Sequence, residues 1–443
     1  MNNFDELGSD LNEKEYEDCG RYQVQILCLI CIGSALQSSA HTVFVFSAMN
    51  LEQRCKVPEC DDSIAPEFNS TWLSNAVPFD GNNPKNCERF QYINLTAYDG
   101  GDECPAEQFD QNVIEGCSEY VYKTKERTIL IDFDLHCDEN LWKLTLVGTI
   151  NTVGQFVGLP ISGVLSDRFG RRTLLIIGMV GCGIFGVIRA FVHDYILFLV
   201  FEFLDALFLS GTYACCFILA TLEKLTKPVE EEPSEPFFHV FKSKILLLRF
   251  INACFCWITC AFLFYGLTLN SVALAGNSYL DFILTALVEI PAYALTYVVV
   301  DRIGRRWSQS GSYFITAIAC FVFIFIQEEQ STLRLCFYLL GKFGATAAFT
   351  IIYVISSEIF PTPLRHSLMG ACSMFGRIGS MVSPQMPLLS ALWTPLPLVL
   401  FSGMAAVAGL LTLLFPETVN TKLPDTIEEA VNIGRKRKES SHL

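Results

Sequence analysis

Charged residues are scarce in this chain. Asp, Glu, Lys and Arg make up 17% of its 443 residues, against 51% in the apolar set. A soluble protein of this length needs more polar side chains than that to cover its surface, and 36 Phe against 31 Lys plus Arg leave too few. The positive mean hydropathy excludes a disordered chain on the same ground. Basic residues are the scarcer sign: the net charge of -15 excludes a nucleic-acid-binding face. H-E-x-x-H, P-loop and zinc-spaced cysteine motifs are missing as well, so neither an enzyme nor a metal or organic cofactor is expected. The start lacks a cleavable signal peptide; residues 1–23 are acidic and the first apolar run begins after Arg21, which places this tail in the cytosol. What the chain does have is long apolar runs, the mark of an integral membrane protein.

The negative charge is concentrated. Residues 50–140 hold 19 Asp or Glu and 7 Lys or Arg, together with six of the 18 cysteines (Cys55, Cys60, Cys87, Cys104, Cys117 and Cys137) and both N-x-[ST] sequons, at Asn69 and Asn94. An even cysteine count and two glycan acceptors in one polar block point to an oxidising, extracellular loop, although six cysteines allow 15 pairings. The remaining cysteines lie mostly in apolar runs and read as small buried hydrophobes.

Spanning a hydrocarbon core takes about 20 mostly apolar residues, and ten stretches qualify: 24–48, 143–165, 173–192, 195–219, 247–268, 279–300, 310–327, 333–357, 367–389 and 396–415. With the N-terminus inside, the basic segments at 166–172, 221–246, 301–306 and Arg365 all fall in the cytosol, while the outer connections near 194, 270 and 390 carry no Lys or Arg, as the positive-inside rule requires. The Pro- and charge-rich segment 220–246 reads as a cytosolic linker between two bundles, 24–219 and 247–415, with 416–443 as a cytosolic tail. D-R-[FI]-G-R-R occurs at Asp167 and again at Asp301, each time between the second and third helices of its bundle, as in transporters built from parallel repeats. Four helices follow the second copy and two follow the first, so the bundles count 4 + 6. The expected fold is therefore an all-α, two-bundle, major facilitator-type transporter with ten membrane helices, shortened from 6 + 6.

Finer motifs narrow the resemblance. The large cysteine-bearing loop after helix one, RTILIDFDLHCDENLW (127–142), FLFYGLTLN (262–270), ALVEIPAY (286–293), SSEIFPTPLRH (356–366), GRIGSMVSP (376–384) and PETVNTKLPDTIEEA (416–430) resemble solute carrier family 22, the organic cation, carnitine and organic anion transporters of the major facilitator superfamily. The resemblance covers nearly the whole chain and breaks at Thr221, where helices five and six of the family are missing. It implies a multi-pass plasma-membrane protein.

Charges inside membrane helices are expensive, so each is a candidate for function. Glu289 sits within ALVEIPAY, with Tyr293 one turn later on the same face; carboxylate and aromatic either face a cavity or the carboxylate pairs with another buried charge. By resemblance, Arg377 stands where organic cation carriers have Asp and carnitine-type and anion carriers have Arg, and Tyr293 stands where anion carriers have Lys. The set Glu289, Tyr293 and Arg377 then looks most like the carnitine-type branch, with an ammonium near Glu289 and a carboxylate forked by Arg377. Tyr265, with Phe264 beside it, resembles a cavity-lining aromatic; Tyr353 and Thr350 are weaker candidates of the same kind, and plain packing is the alternative for each. Lys342, apolar on every flank, is expected to pair with a buried acid, with substrate contact as the alternative. Glu202 and Asp205 share a helix face and form either a proton or cation site or a structural pair with Arg189. His41 either lines the pathway or packs.

The resemblance gives the two D-R-x-G-R-R loops (Asp167, Arg168, Arg171; Asp301, Arg302, Arg305) a gating role at the cytosolic helix ends. Gly181, Gly183 and Gly186 match G-x-G-x-x-G inside an apolar helix and read as packing glycines. The basic run 435–438 reads as a solvated tail, or as one that meets inner-leaflet lipid. The expected function is transport of small organic cations or carnitine-like zwitterions across the plasma membrane, with the substrate and the lipid bilayer as partners. The alternative is a transport-incompetent short form that associates with a full-length relative and modulates it.

Overall fold

A computed structural model describes residues 21–433 apart from 63–65, 81–82, 94–103, 213–242, 275–276, 328, 420 and 422. The helices are α1 (Arg21–Ser47), α2 (Leu141–Phe169), α3 (Arg171–Arg189), α4 (Tyr195–Leu209), α5 (Lys244–Leu269), α6 (Ser278–Leu287), α7 (Glu289–Ile303), α8 (Arg305–Ile324), α9 (Ser331–Ile359), α10 (Thr362–Val382), α11 (Met386–Leu392), α12 (Leu396–Thr412) and α13 (Ile427–Asn432), with two further single-turn helices at Leu73–Ala76 and Ile129–Asp132. Each of the ten apolar stretches carries helix, although 213–219 of the fourth lies outside the described residues. Among the described residues six helical segments are long and apolar enough to cross a membrane: 138–166, 171–189, 244–272, 278–303, 305–324 and 331–359.

Two stretches expected as single helices are broken, and proline explains both. Pro291 has no N–H to give the carbonyl of Leu287, and its ring crowds that carbonyl; α6 ends at Leu287 and α7 begins two residues later. Pro384 and Pro387 likewise end α10 in a 3₁₀ turn, Ser383–Gln385, before α11. The repeat has a backbone reason too. Gly170 and Gly304 separate α2 from α3 and α7 from α8 at φ +85° and +105°, a region in which a side chain is strained.

Close packing follows small residues. A Cβ on Gly181 would lie 2.5 Å from the Phe208 ring and one on Gly154 2.7 Å from the Phe203 carbonyl, so α3 and α2 both press on α4 through glycine. Gly183 and Gly186 face open space. The largest core centres on α5, where Leu246, Trp257, Leu263 and Leu267 meet Tyr313 of α8, Ile351 and Ile355 of α9, Cys372 of α10 and Phe401 of α12.

The polar block is three small antiparallel pairs, β1 (Gln53–Cys55) with β6 (Tyr120–Tyr122), β2 (Phe79–Asp80) with β3 (Asn83–Pro84), and β4 (Glu88–Tyr92) with β5 (Phe109–Gly116). The six cysteines form Cys55–Cys117, Cys60–Cys104 and Cys87–Cys137. Trp72, Leu73, Val77 and Phe109 pack around the first two bridges. Arg54 is fully buried and forked on Asp61, with the carbonyls of Cys55, Glu67 and Phe68 taking its remaining N–H groups. Asn69 is exposed; Asn94 lies outside the described residues.

Near the polar block, α1 and α2 meet the second group of helices. Phe46 stacks on Tyr279 at 5.2 Å and meets Phe282 edge-on at 5.1 Å. Thr145 donates to Gln385 Oε1 at 3.0 Å, Gln385 Nε2 donates to Thr149 Oγ1 at 2.6 Å, and Thr149 donates to the Met381 carbonyl at 3.3 Å.

Candidate functional site

On α5, Trp257, Phe264, Tyr265 and Thr268 recur at spacings of 7, 8 and 11 and therefore share a face; on α9, Lys342, Phe349 and Tyr353 do the same. The two faces meet. Phe264 stacks on Phe349 with centroids 4.8 Å apart, Tyr265 stands perpendicular to Phe264 at 5.3 Å, Tyr353 meets Phe349 at 5.6 Å, and Trp257 meets Tyr353 edge-on at 4.4 Å. The result is a continuous aromatic row from Tyr265 to Trp257. Trp257 is held in place by its Nε1–H, which donates to Ser356 Oγ at 2.9 Å. Tyr353 is exposed and Tyr265 half-buried, so the row is not wholly enclosed.

Lys342 closes one end. Its ammonium lies 2.8 Å from Glu289 Oε1, donates to Thr268 Oγ1 at 2.7 Å and to the Phe264 carbonyl at 3.2 Å, and stands 3.5 Å from the centroid of the Phe264 ring. All three of its N–H donors are engaged and the side chain is fully buried, so Lys342 fixes α9 to α5 and α7. Glu289 remains one-fifth exposed, and the Tyr293 hydroxyl approaches its second oxygen at 3.5 Å. The pair neutralises itself, which leaves the π faces as the attraction this wall offers a cation. Thr350 spends its hydroxyl on the Thr346 carbonyl of its own helix.

Arg377 is not part of that cluster. From α10 it reaches across to α2, where Nη1 donates to Gln155 Oε1 at 3.3 Å. Gln155 donates to Asn151 Oδ1 at 2.7 Å, Asn151 donates to Glu202 Oε1 at 2.8 Å, and Arg189 Nη1 bonds both Glu202 Oε2 and, at 3.3 Å, Asp205 Oδ2. Glu202 and Asp205 thus face one way, as their spacing implies, with Arg189 between them.

At the far helix ends, Arg305 pairs with Asp301 at 3.0 Å and with Glu358 at 3.2 Å, and the Glu417 carboxylate accepts the backbone N–H groups of Arg305 and Arg306 at 2.9 and 3.3 Å. Arg302 and Arg168 are exposed and Arg171 is half-buried. The side chains of Asp167 and His41 lie outside the described residues.

Several participants escape a motif reading: Trp257 and Phe349 of the aromatic row, and Asn151 and Gln155 of the polar chain; Glu358 and Glu417 at the loop lie within the SSEIFPTPLRH and PETVNTKLPDTIEEA motifs, which by themselves give them no role. A signal for two pairs was present, since Asn151 and Gln155, like Phe349 and Tyr353, stand four apart and share a helix face.

The family model described as Major Facilitator Superfamily matches residues 130–223, and the one described as Sugar (and other) transporter matches residues 226–429. Solute carrier family 22 member 1 of Bos taurus is 26% identical over 525 aligned positions that take in 95% of this chain and 92% of that protein. Member 3 of Mus musculus is 26% identical over 94% of each chain, and member 16 of Xenopus laevis 28% identical over 70% of this chain and 72% of its own. A crystal structure of a D-xylose-proton symporter superposes with a TM-score of 0.51 at 16% identity, covering 63% of this chain and 89% of the symporter. The chain has the helical, multi-pass membrane transporter fold of the major facilitator superfamily, and it resembles solute carrier family 22 along nearly its whole length.

Proposed function

We propose that this chain carries small organic cations or carnitine-like zwitterions across the plasma membrane by alternating access. The observation that carries the reading is the aromatic row Tyr265–Phe264–Phe349–Tyr353–Trp257, which offers adjoining π faces beside a charge-neutral Lys342–Glu289 pair. A quaternary ammonium is weakly hydrated and binds such faces without needing a carboxylate of its own. Arg377, on α10 of the same helix group and bonded across to Gln155 of α2, supplies a cation for a substrate carboxylate. The contacts of Phe46, Thr145 and Thr149 with Tyr279, Met381 and Gln385 would be the closed end of the rocking cycle, and the D-R-x-G-R-R loops its gate.

The test is uptake of a labelled quaternary ammonium, of carnitine and of an organic anion by cells expressing this chain, normalised to surface protein. Saturable uptake of the first two is expected, with Tyr353→Ala raising KM for both and Arg377→Ala abolishing carnitine uptake alone. Flat uptake of all three despite surface expression overturns the carrier reading. One observation favours a second reading in that event: this chain fills about 420 of the 525 positions aligned with the Bos taurus relative, so about a hundred positions have no residue here. A form lacking helices five and six would modulate a full-length relative, and co-expression would change that relative's uptake.

A further inference from the structure

Glu202 and Asp205 are buried together on α4 with side chains 1% and 6% exposed, and both carboxylates turn to the single guanidinium of Arg189. Among the described residues, the elements packed against α4 bring no second cation into an ion pair with these carboxylates: α3 brings Arg189 and the Cys182 thiol, which lies beside Asp205, α2 brings the neutral amides of Asn151 and Gln155, and α1 brings Gln37, whose amide donates to the Leu209 carbonyl. The side chain of His41, also on α1, is outside the described residues. Asp205 Oδ1 is buried with no hydrogen-bonding partner. Fully ionised, this cluster holds one uncompensated negative charge and an orphaned carboxylate oxygen away from water, a costly combination that one proton removes.

Resting on the carrier reading above, we propose that Glu202 and Asp205 share one exchangeable proton and that its binding is linked to a substrate carboxylate at Arg377. The link is the chain Arg377–Gln155–Asn151–Glu202, three hydrogen bonds through two amides that leave no break between the helix groups. With Arg377 free, its positive charge favours the ionised pair. A substrate carboxylate neutralises Arg377 and so raises the pair's affinity for the proton; by reciprocity the proton raises the affinity for the carboxylate. At a separation on the order of 10 Å and an effective dielectric of about 20, the linkage is roughly tenfold in affinity. Zwitterion and proton then move together, whereas a plain quaternary ammonium ignores the pair.

Infrared spectra of the purified, substrate-free full chain test the proton site without any transport. A carboxylic-acid carbonyl band is expected at neutral pH, lost in both Glu202→Gln and Asp205→Asn, because removing either acid leaves the other ionised against Arg189. Spectra in which neither variant loses intensity overturn the shared proton, as do spectra in which only one does. Carnitine and tetraethylammonium binding then test the link: carnitine affinity falls about tenfold from mildly acidic to alkaline pH in the native chain, stays level in Glu202→Gln, and tetraethylammonium affinity stays level in both. Level carnitine affinity in the native chain overturns the link. No carnitine binding with the band intact leaves the proton site standing and overturns the zwitterion reading on which the link rests.

Discussion

Replacing Glu289 with Gln asks Lys342 to keep its charge without its partner. At 2.8 Å and an effective dielectric of about 20, the attraction removed is about 6 kcal/mol. Thr268 Oγ1, the Phe264 carbonyl and the Phe264 ring still hold the ammonium, so the expected loss is the lower, typical cost of orphaning one member of a buried pair, about 3 to 5 kcal/mol. The reverse substitution, Lys342→Met, leaves Glu289 with a route to water and with the Tyr293 hydroxyl, and should cost less than half as much. Glu289→Gln with Lys342→Met leaves no charge behind and should recover most of the stability, a double-mutant coupling above about 2 kcal/mol. Thermal midpoints of the detergent-solubilised variants, followed by size exclusion, rank the four proteins. Equal losses in the two single variants, or additive losses in the double, would refute the argument that Lys342 is a buried charge kept by Glu289. Uptake by the double variant then separates roles: a quaternary ammonium held by the aromatic row is still carried, and one held by Glu289 is not.

Three further outcomes follow from the polar block and the loops. Cys87–Cys137 closes 50 residues between the polar block and the entry to α2, so Cys87→Ser should cost about 4 kcal/mol and appear as loss of surface-mature protein on non-reducing gels. Burial lowers the proton affinity of His136, with Asp134 partly offsetting it, while its Nδ1 contacts Gln53 Oε1 at 2.8 Å. The unfolded block takes up that proton near pH 6.5, so its stability falls as pH drops through that value and levels off below the folded one; hydrogen exchange at residues 53–55 and 120–122 should show this slope, and His136→Asn should flatten it. Gly170→Ala carries only the backbone strain of φ +85°, about 1 to 2 kcal/mol, whereas Gly304→Ala also drives a methyl to 2.7 Å from the Glu417 carboxylate that holds the Arg305 and Arg306 amides, and should melt lower.

Helix positions were legible because a membrane core demands long apolar runs, and the repeat was legible because a glycine with positive φ must stand where α2 turns into α3 and α7 into α8. The proline breaks at Pro291 and Pro384 were visible in the letters, yet length alone reads through them. The partner of Lys342 was not legible. Glu289 lies 53 positions away, and only the packing of α7 on α9 selects it over Asp281, Glu202 or Asp205. Pairing of six cysteines is hidden for the same reason, since the chain must fold before Cys87 finds Cys137. Arg377 was read as a substrate ligand from the family resemblance, and its bond to Gln155 across the two helix groups depends on how those groups meet.

That geometry bears on whether a chain without helices five and six would retain its chemistry. The aromatic row and the Lys342–Glu289 pair come from α5, α7 and α9, and the polar chain from α2, α3, α4 and α10; none of their residues falls in 213–242, where the proposed omission lies. The omission would instead show on a surface. Along α3, Ile176, Val180, Ile184 and Val187 form an exposed stripe at helical spacing, and Gly183 and Gly186 beside it meet nothing within 4 Å. If lipid covers this stripe, the chain can work alone; if a relative covers it, the modulator reading gains its interface. Photolabelling of Ile184 distinguishes the two, because a membrane-soluble carbene reagent inserts into a lipid-facing side chain whether or not a full-length relative is co-expressed, and a protein-covered side chain is protected only when the relative is present. Labelling that is unchanged by the relative, in a chain that takes up carnitine, would make the stripe an ordinary lipid face and the short form a carrier in its own right.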